Sequence, residues 1–595
     1  MLPYSLALIA TLAAPAPPVS APISNIQYDV TFNRETASRR SLAVDMRFDV
    51  GGNGEVILSL PAWTPGAYDI TNFAKWVSGF EATASGTPLD WDKVDYDTWR
   101  IRPAGHKQVK VSFQFRADSL DNAMAWSRED FAFFNGTNIL FYPEGRGFDF
   151  GATLRVNTER DWLVATGMHG SVAGGFREKN FHDLVDMPFF VGRIDYDSMM
   201  VDGLNVRLAT YPAGKLSGPA RAEFWGQYRR LFAPQIAVFG ETPFDSYTTL
   251  IVFSDTFGGG SALEHQNSHL GIYTSEGIGQ DWIPSITSHE MVHAWNVKRM
   301  RPAEMMPYRY DAAQPTPWLW VSEGITDYYG DIAVLRAGIT DSTGFLESVD
   351  RNIQNVEQVP PVALEDASLS TWIHPTDGTG YIYYPKGSLA GFMLDILIRD
   401  ASDNRRGLDD VMREVYHGTY KKGKGFGAAE WWGAVSRAAG GKKFDAFNDR
   451  YIDGRDPFPW DSVLPLAGMR RVTDSVVVPR LGIMTSGIDS TGVLIEQVVP
   501  GGAAAEAGIQ AGDRLQELGG IPVTDPTVFE QFRAKYAGQE GGDLAFKVRR
   551  GDQDLVLQGK VRLATVTQQR LEFDPAAGER AARVRHGIIT GTTAK

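Results

Sequence analysis

The chain of 595 residues contains no cysteine. Disulfides, thiolate metal sites and cysteine nucleophiles are thereby excluded, so any metal must be held by His, Asp or Glu. A basic surplus is missing too: 58 Lys and Arg stand against 72 Asp and Glu, a formal charge of −14. With no basic stripe, the electrostatic footprint of a nucleic-acid binder or of a protein drawn to an anionic membrane is absent. Long apolar runs are also lacking. The apolar run Leu6–Ala14 is short, and no later stretch approaches the length of a bilayer span, so no transmembrane span is expected in the mature protein. That early run, the Pro-rich stretch behind it and the small residues Val19 and Ala21 predict a signal peptide over residues 1–21, although Lys and Arg are missing before the run. The expected location is periplasmic or secreted.

What the sequence does hold is enough apolar material, 43% of residues, for several cores, and its length implies roughly two to four domains. Period-2 alternation over Ile26–Phe32, Leu42–Val50, Glu55–Leu60, Thr98–Ile101 and Val109–Phe115 predicts an all-β, sandwich-like domain over residues 22–215. The period then changes. A helical segment at Ala220–Phe239 precedes the short β-rich run Tyr247–Ser254, and helical segments at Trp282–Arg299, Trp320–Ala337, Gly344–Val356, Lys386–Ala401, Leu408–His417 and Ala428–Ala439 follow it. They predict an α+β domain over 216–456. A Pro-containing linker over 457–471, a second strand-rich domain over 472–566 and a poorly ordered basic tail over 567–595 complete the multidomain reading.

The chemistry concentrates in His289-Glu290-Met291-Val292-His293. Residues four apart share one helix face, so two imidazoles can grip one ion while Glu290 reaches a water at the open coordination position. Zinc would lower the pKa of that water and Glu290 would take its proton. A catalytic zinc needs a third protein ligand. Glu323, thirty positions after His293 on the next helical segment, is the candidate, and Asp327 one turn on could hold the free nitrogen of a ligating histidine. His265 and His269 compete as ligands, but their segment reads as a strand edge. The expected cofactor is one Zn²⁺; two imidazoles and a carboxylate would also admit cobalt or manganese.

The extended motifs HEMVHAWNVKRMRP (His289–Pro302) and WVSEGITDYYGD (Trp320–Asp331) resemble those of the glycyl aminopeptidase family of gluzincin zinc metallopeptidases, which carries a C-terminal PDZ domain. The resemblance covers nearly the whole chain and implies a thermolysin-like catalytic domain behind an N-terminal β domain. Gly258-Gly259-Gly260-Ser261-Ala262-Leu263-Glu264-His265 is similar to the glycine-rich exopeptidase strand of gluzincin aminopeptidases. By that likeness Glu264 binds the substrate's α-amine and Gly259 and Gly260 let substrate backbone approach; His265 stands where Asn is usual, and its role is open. Tyr383-Tyr384-Pro385-Lys386-Gly387 resembles the family's helix entry, which makes Tyr384 the oxyanion donor, with Tyr381 and Tyr383 as alternatives. The C-terminal module resembles a bacterial protease-type PDZ domain. Its expected carboxylate-binding loop is Leu481-Gly482-Ile483, preceded by Arg480 in place of the commonest residue.

The implied activity is removal of small N-terminal residues, glycine and perhaps alanine, from peptides with a free N-terminus. Two rivals stand beside it: a thermolysin-like endopeptidase with the same metal site, and a PDZ-bearing peptide-binding protein without catalysis.

Overall fold

The computed structural model describes residues 18–594 except Ser490 and Pro526. The chain divides into two compact units, one formed by residues up to Met469 together with Phe573 onward, the other by Arg470–Glu572. The three-part architecture expected from the sequence, β domain, helical catalytic domain and PDZ-like domain, is present.

The β domain is built on an eight-stranded sheet flanked by two four-stranded sheets. Its central strands alternate as the sequence does. Leu42, Val44, Met46, Phe48 and Val50 on one strand, and Val109, Val111, Phe113 and Phe115 on its neighbour, face the core. Each such side chain contributes about 1.5–3 kcal/mol when fully buried. The alternate positions face solvent and pair across strands, as Asp45 does with Lys110 and Ser112. The apolar run Leu6–Ala14 of the expected signal peptide lies outside the described residues. Ser20 and Ala21, assigned to that leader, are instead part of the domain: both are buried, with Ser20 N–H bonded to Glu144 O and Ala21 N–H to Glu55 O.

The expected boundary at residue 215 is also corrected. Strands Asp195–Val201 and Leu204–Tyr211 belong to a five-stranded sheet with Ser246–Phe253, Ser268–Tyr273 and Gly260–Glu264. The reason is a βαβ crossover: Leu204–Tyr211 runs parallel to Ser246–Phe253, and helix Gly218–Phe239 connects them. Every residue of Ser246–Phe253 is buried, as expected for an interior parallel strand. Gly260–Glu264 forms the sheet edge and runs antiparallel to Ser268–Tyr273.

Helices then pack beside this sheet. The helix predicted over Trp282–Arg299 ends at Val292, with His293 as its C-cap. Beyond it the chain turns through Trp295 N–H to Val292 O and Lys298 N–H to His293 O. Helix Thr326–Arg336 crosses at Gly330, where a Cβ would stand 3.2 Å from the backbone of His289. A side chain at that glycine would push the two helices apart.

Two further expectations fall. Residues 457–471 are not a free linker, because Trp460, Leu464 and Ala467 are buried in short helical turns. The tail is not disordered: Glu579–Thr590 is a helix of the first unit, with Val584 and Ile588 fully buried. Arg336 donates to Ile588 O at 3.1 Å and Arg399 to Thr592 O at 3.1 Å, and Ala594 N–H reaches Asn404 O. The basic composition suggested solvent exposure, but the apolar spacing Val584–Ile588 decides the packing.

The second unit holds a sheet over Ile483–Lys560 around a core including Leu481, Ile495, Leu515, Phe532 and Phe546. Strand Ile483–Asp489 lies at its edge, paired with Gly492–Val498. Among the described residues no helix is long and apolar enough to cross a membrane.

Replacing Ile588 by Ala is expected to cost about 2–5 kcal/mol, read as a lower denaturation midpoint of the full chain. An unchanged midpoint would show that the C-terminal helix is not part of the folded core.

Candidate active site

His289 and His293 lie four apart at the end of one helix, and their Nε2 atoms are 2.9 Å from each other. Glu323 joins them with Oε2 at 3.3 Å from His293 Nε2 and 3.8 Å from His289 Nε2. Glu323 sits in a π-helical turn, Trp320–Ile325, that precedes helix Thr326–Arg336. Asn296 supports the widened turn by donating to Val321 O at 2.8 Å and to Thr326 Oγ1 at 2.9 Å. Gly324 packs on the entry to helix Tyr383–Ala401, where an added Cβ would stand 2.4 Å from Tyr383 O.

The opposite nitrogens of both imidazoles are engaged. His293 Nδ1 is 2.7 Å from Asn296 O, and Asp327 Oδ1 is 3.5 Å from His289 Nδ1. These partners put the protons on Nδ1 and leave both Nε2 lone pairs aimed at the same point as the carboxylate. Three facing lone pairs repel unless a cation lies among them, so the donor set fits a metal ion. The surrounding carboxylates favour positive charge at this point. Burial opposes a charge on His289, yet Asp327 and Glu323 hold its pKa well above the usual imidazole value. Burial likewise opposes ionisation of Glu323, but His293 and His289 keep its carboxyl well below the usual range.

Glu290 lies beside this cluster and is 5% exposed. Burial pushes its pKa up to about 7, opposed by His289 and His293 and reinforced by Glu264 and Glu323. Its Oε2 is buried without a protein partner. Ligating atoms of Glu264, Glu290 and His293 all fall within 4.8 Å of one another. The edge strand thus delivers Glu264 to the same centre.

Glu264 is not a free anion. Lys298 Nζ is 3.6 Å from Glu264 Oε1 and 3.0 Å from Asp186 Oδ1, and it donates to Pro65 O at 3.1 Å. All three side chains are buried. Two carboxylates share one ammonium, so this group keeps one net negative charge. His265 faces away from the donor cluster: its Nδ1 is 3.0 Å from Asp186 Oδ1, and burial lowers its pKa despite that carboxylate. His269 contacts the Tyr247 hydroxyl. Neither histidine joins the three donors.

Of the glycines, Gly259 has φ +92° and open space where a Cβ would be, whereas a Cβ at Gly260 would stand 2.5 Å from the Trp282 ring. Indole packing accounts for the glycine at 260. Among the tyrosines, Tyr383 bonds Thr371 through its hydroxyl at 2.9 Å, and Tyr381 is 64% exposed. Tyr384 stacks obliquely near His289 with ring centroids 6.0 Å apart. Burial, then Glu323, Tyr383, Glu264 and Glu290, hold its phenol well above the usual pKa, so it stays protonated.

The sequence reading missed Tyr68, Lys298 and Asp186. Tyr68, from the β domain, donates to Glu323 Oε1 at 2.5 Å. Gly66 of the same loop lies so close to Glu264 that a Cβ would be 2.6 Å from both carboxylate oxygens. A cleft of about 430 Å³ opens between this loop and the catalytic domain, lined by Tyr68, Met124, Leu263, His374 and Tyr384 among others. The Trp-Thr-Pro-Gly-Ala-Tyr run at 63–68 was the available signal: a Pro-Gly turn between aromatics, within an otherwise stranded domain.

A buried two-histidine, one-carboxylate donor set with an adjacent unpaired glutamate is the arrangement of a zinc-dependent peptide hydrolase. Residues 27–193 match the family model of the Peptidase M61 N-terminal domain, residues 283–390 that of M61 glycyl aminopeptidase, and residues 494–550 that of a PDZ domain. The protein is a zinc metallo-aminopeptidase by class. Within that class it is similar to the M61 glycyl aminopeptidase family over residues 27–193 and 283–390. No curated protein matches it in sequence. Among solved structures, an aminopeptidase N family protein from Idiomarina loihiensis is similar with a TM-score of 0.77 and 23% identity, over 95% of this chain and 100% of that one. An M1 zinc metallopeptidase from Deinococcus radiodurans gives a TM-score of 0.47 and 14% identity, over 73% and 95%.

Replacing Lys298 by Met strands two buried carboxylates and is expected to cost about 3–5 kcal/mol, measured by denaturant unfolding. A cost under about 1 kcal/mol would show that Asp186 and Glu264 do not depend on this cation.

Proposed function

We propose that the protein removes small N-terminal residues, glycine or alanine, from peptides with a free α-amine. The observation that carries the reading is the convergence of Glu264, Glu290 and His293 within 4.8 Å. An α-ammonium held by Glu264 lies only a few bonds from the first carbonyl, and that carbonyl then falls beside the histidine pair. The residual negative charge shared by Glu264, Asp186 and Lys298 favours a cationic amine. Gly66 and Tyr68 crowd the amine end of the cleft, which supports a preference for small side chains.

In this reading His289, His293 and Glu323 hold one zinc ion, which when bound lowers the pKa of a coordinated water and polarises a carbonyl. Glu290, with a high pKa and an unpartnered oxygen, takes a proton from the attacking water and returns it to the leaving amine. Tyr384, protonated and beside His289, donates its phenol to the developing oxyanion. Asp327 keeps His289 oriented. Gly259, at the open end of the edge strand, leaves room for substrate backbone. In the second unit, the edge strand Ile483–Asp489 and the loop Leu481-Gly482-Ile483, with Gly482 at φ +72°, support capture of a peptide C-terminus. The run Leu6–Ala14 supports export to the periplasm or beyond.

Glu290→Gln is expected to retain zinc while activity on glycyl anilides falls by about 10²–10⁴-fold; unchanged turnover would remove Glu290 from the mechanism. A chelator should abolish hydrolysis and added zinc restore it. N-acetylated glycyl peptides should be cut far more slowly than free ones. Equal rates would favour an endopeptidase and refute the role given to Glu264.

A further inference from the structure

The two oxygens of Glu323 have different tasks. Oε2 faces the imidazoles, at 3.3 and 3.8 Å, while Oε1 accepts the Tyr68 hydroxyl at 2.5 Å. Tyr68 is 3% exposed and has φ +50°, a conformation that side-chain-bearing residues avoid unless their surroundings impose it. The surroundings do impose it. The loop 62–72 is closed by Asn72 N–H to Ala62 O and pinned to the catalytic domain by Ala62 N–H to Tyr310 O. Trp63 Nε1 donates to Arg309 O at 2.7 Å, and Trp372 meets the Tyr68 ring edge-on at 5.9 Å. Thr64 bonds Ala123 O at 2.9 Å, and Lys298 bonds Pro65 O at 3.1 Å. A rigid loop of one domain thus holds a single hydroxyl against a carboxylate of the other.

We propose that Tyr68 is a positioning residue of the metal centre: by occupying Oε1 it leaves Glu323 to offer the ion one oxygen, and so the β domain completes the site. The inference rests on the reading of Glu323 as a ligand. A carboxylate without this partner can rotate or chelate through both oxygens. It would then crowd the coordination position that water and substrate must share. Tyr68 touches no reacting atom; it acts through Glu323.

The test compares full-length Tyr68→Phe, Tyr68→Leu and Glu323→Ala, with zinc affinity measured by competition against a chromogenic chelator. Both Tyr68 variants are expected to bind zinc about 10–100-fold more weakly than the wild type. At saturating zinc, kcat should fall for Tyr68→Phe with KM changed by less than about twofold. The thermal midpoint of Tyr68→Phe in excess chelator should equal that of the wild type in the same buffer, which separates positioning from folding. A Tyr68→Phe zinc affinity within twofold of wild type overturns the proposal, as does weaker binding that merely tracks a lowered chelator midpoint. Should Tyr68→Leu bind weakly and Tyr68→Phe normally, the ring rather than the hydroxyl matters, and the proposal also fails. Glu323→Ala is the separate control. If it keeps wild-type zinc affinity, the ligand assignment itself is wrong, whatever Tyr68 does.

Discussion

Three lone pairs aimed at one buried point organise this molecule. Asn296 O and Asp327 orient the two imidazoles, and the unprotonated nitrogens of His289 and His293 face each other at 2.9 Å with a carboxylate beside them. Such an arrangement is stable only around a cation, and much of the local backbone serves it. The first helix stops at His293 so that Asn296 can turn back. The second begins with a π turn that carries Glu323 inward. Gly324 and Gly330 let three helices approach where any side chain would separate them.

The second constraint is charge. Glu264, Glu290 and Glu323 gather in a buried space with two imidazoles, and burying like charges together is costly. Lys298 relieves part of that cost by standing between Glu264 and Asp186. On the proposed function, the centre would receive two cations of different kinds, a metal ion at the imidazoles and an ammonium at Glu264. Asp186, Pro65, Gly66 and Tyr68 all come from the β domain, so that domain lines the candidate site rather than standing apart from it.

What the sequence revealed follows from range. The His289–His293 pair was legible because helical geometry turns a spacing of four into a shared face. Glu323 was legible because another helical segment bearing an acid follows closely. Tyr68, 255 positions from its partner, was not. No local pattern records which strand loop a distant carboxylate will meet. Lys298 was hidden for a different reason: its segment read as helix, and only the turn after His293 sends its ammonium toward Asp186. The C-terminal helix was obscured by a basic composition that outweighed the apolar pair Val584 and Ile588, and Gly260 by a likeness that offered substrate approach where indole packing suffices.

The most direct test of the central claim is an anomalous difference map at the zinc edge from crystals of the full-length protein. One peak is expected, about 2.0–2.2 Å from His289 Nε2, His293 Nε2 and a single oxygen of Glu323. A peak elsewhere, a second one at Glu264, or none after soaking in zinc would contradict the account.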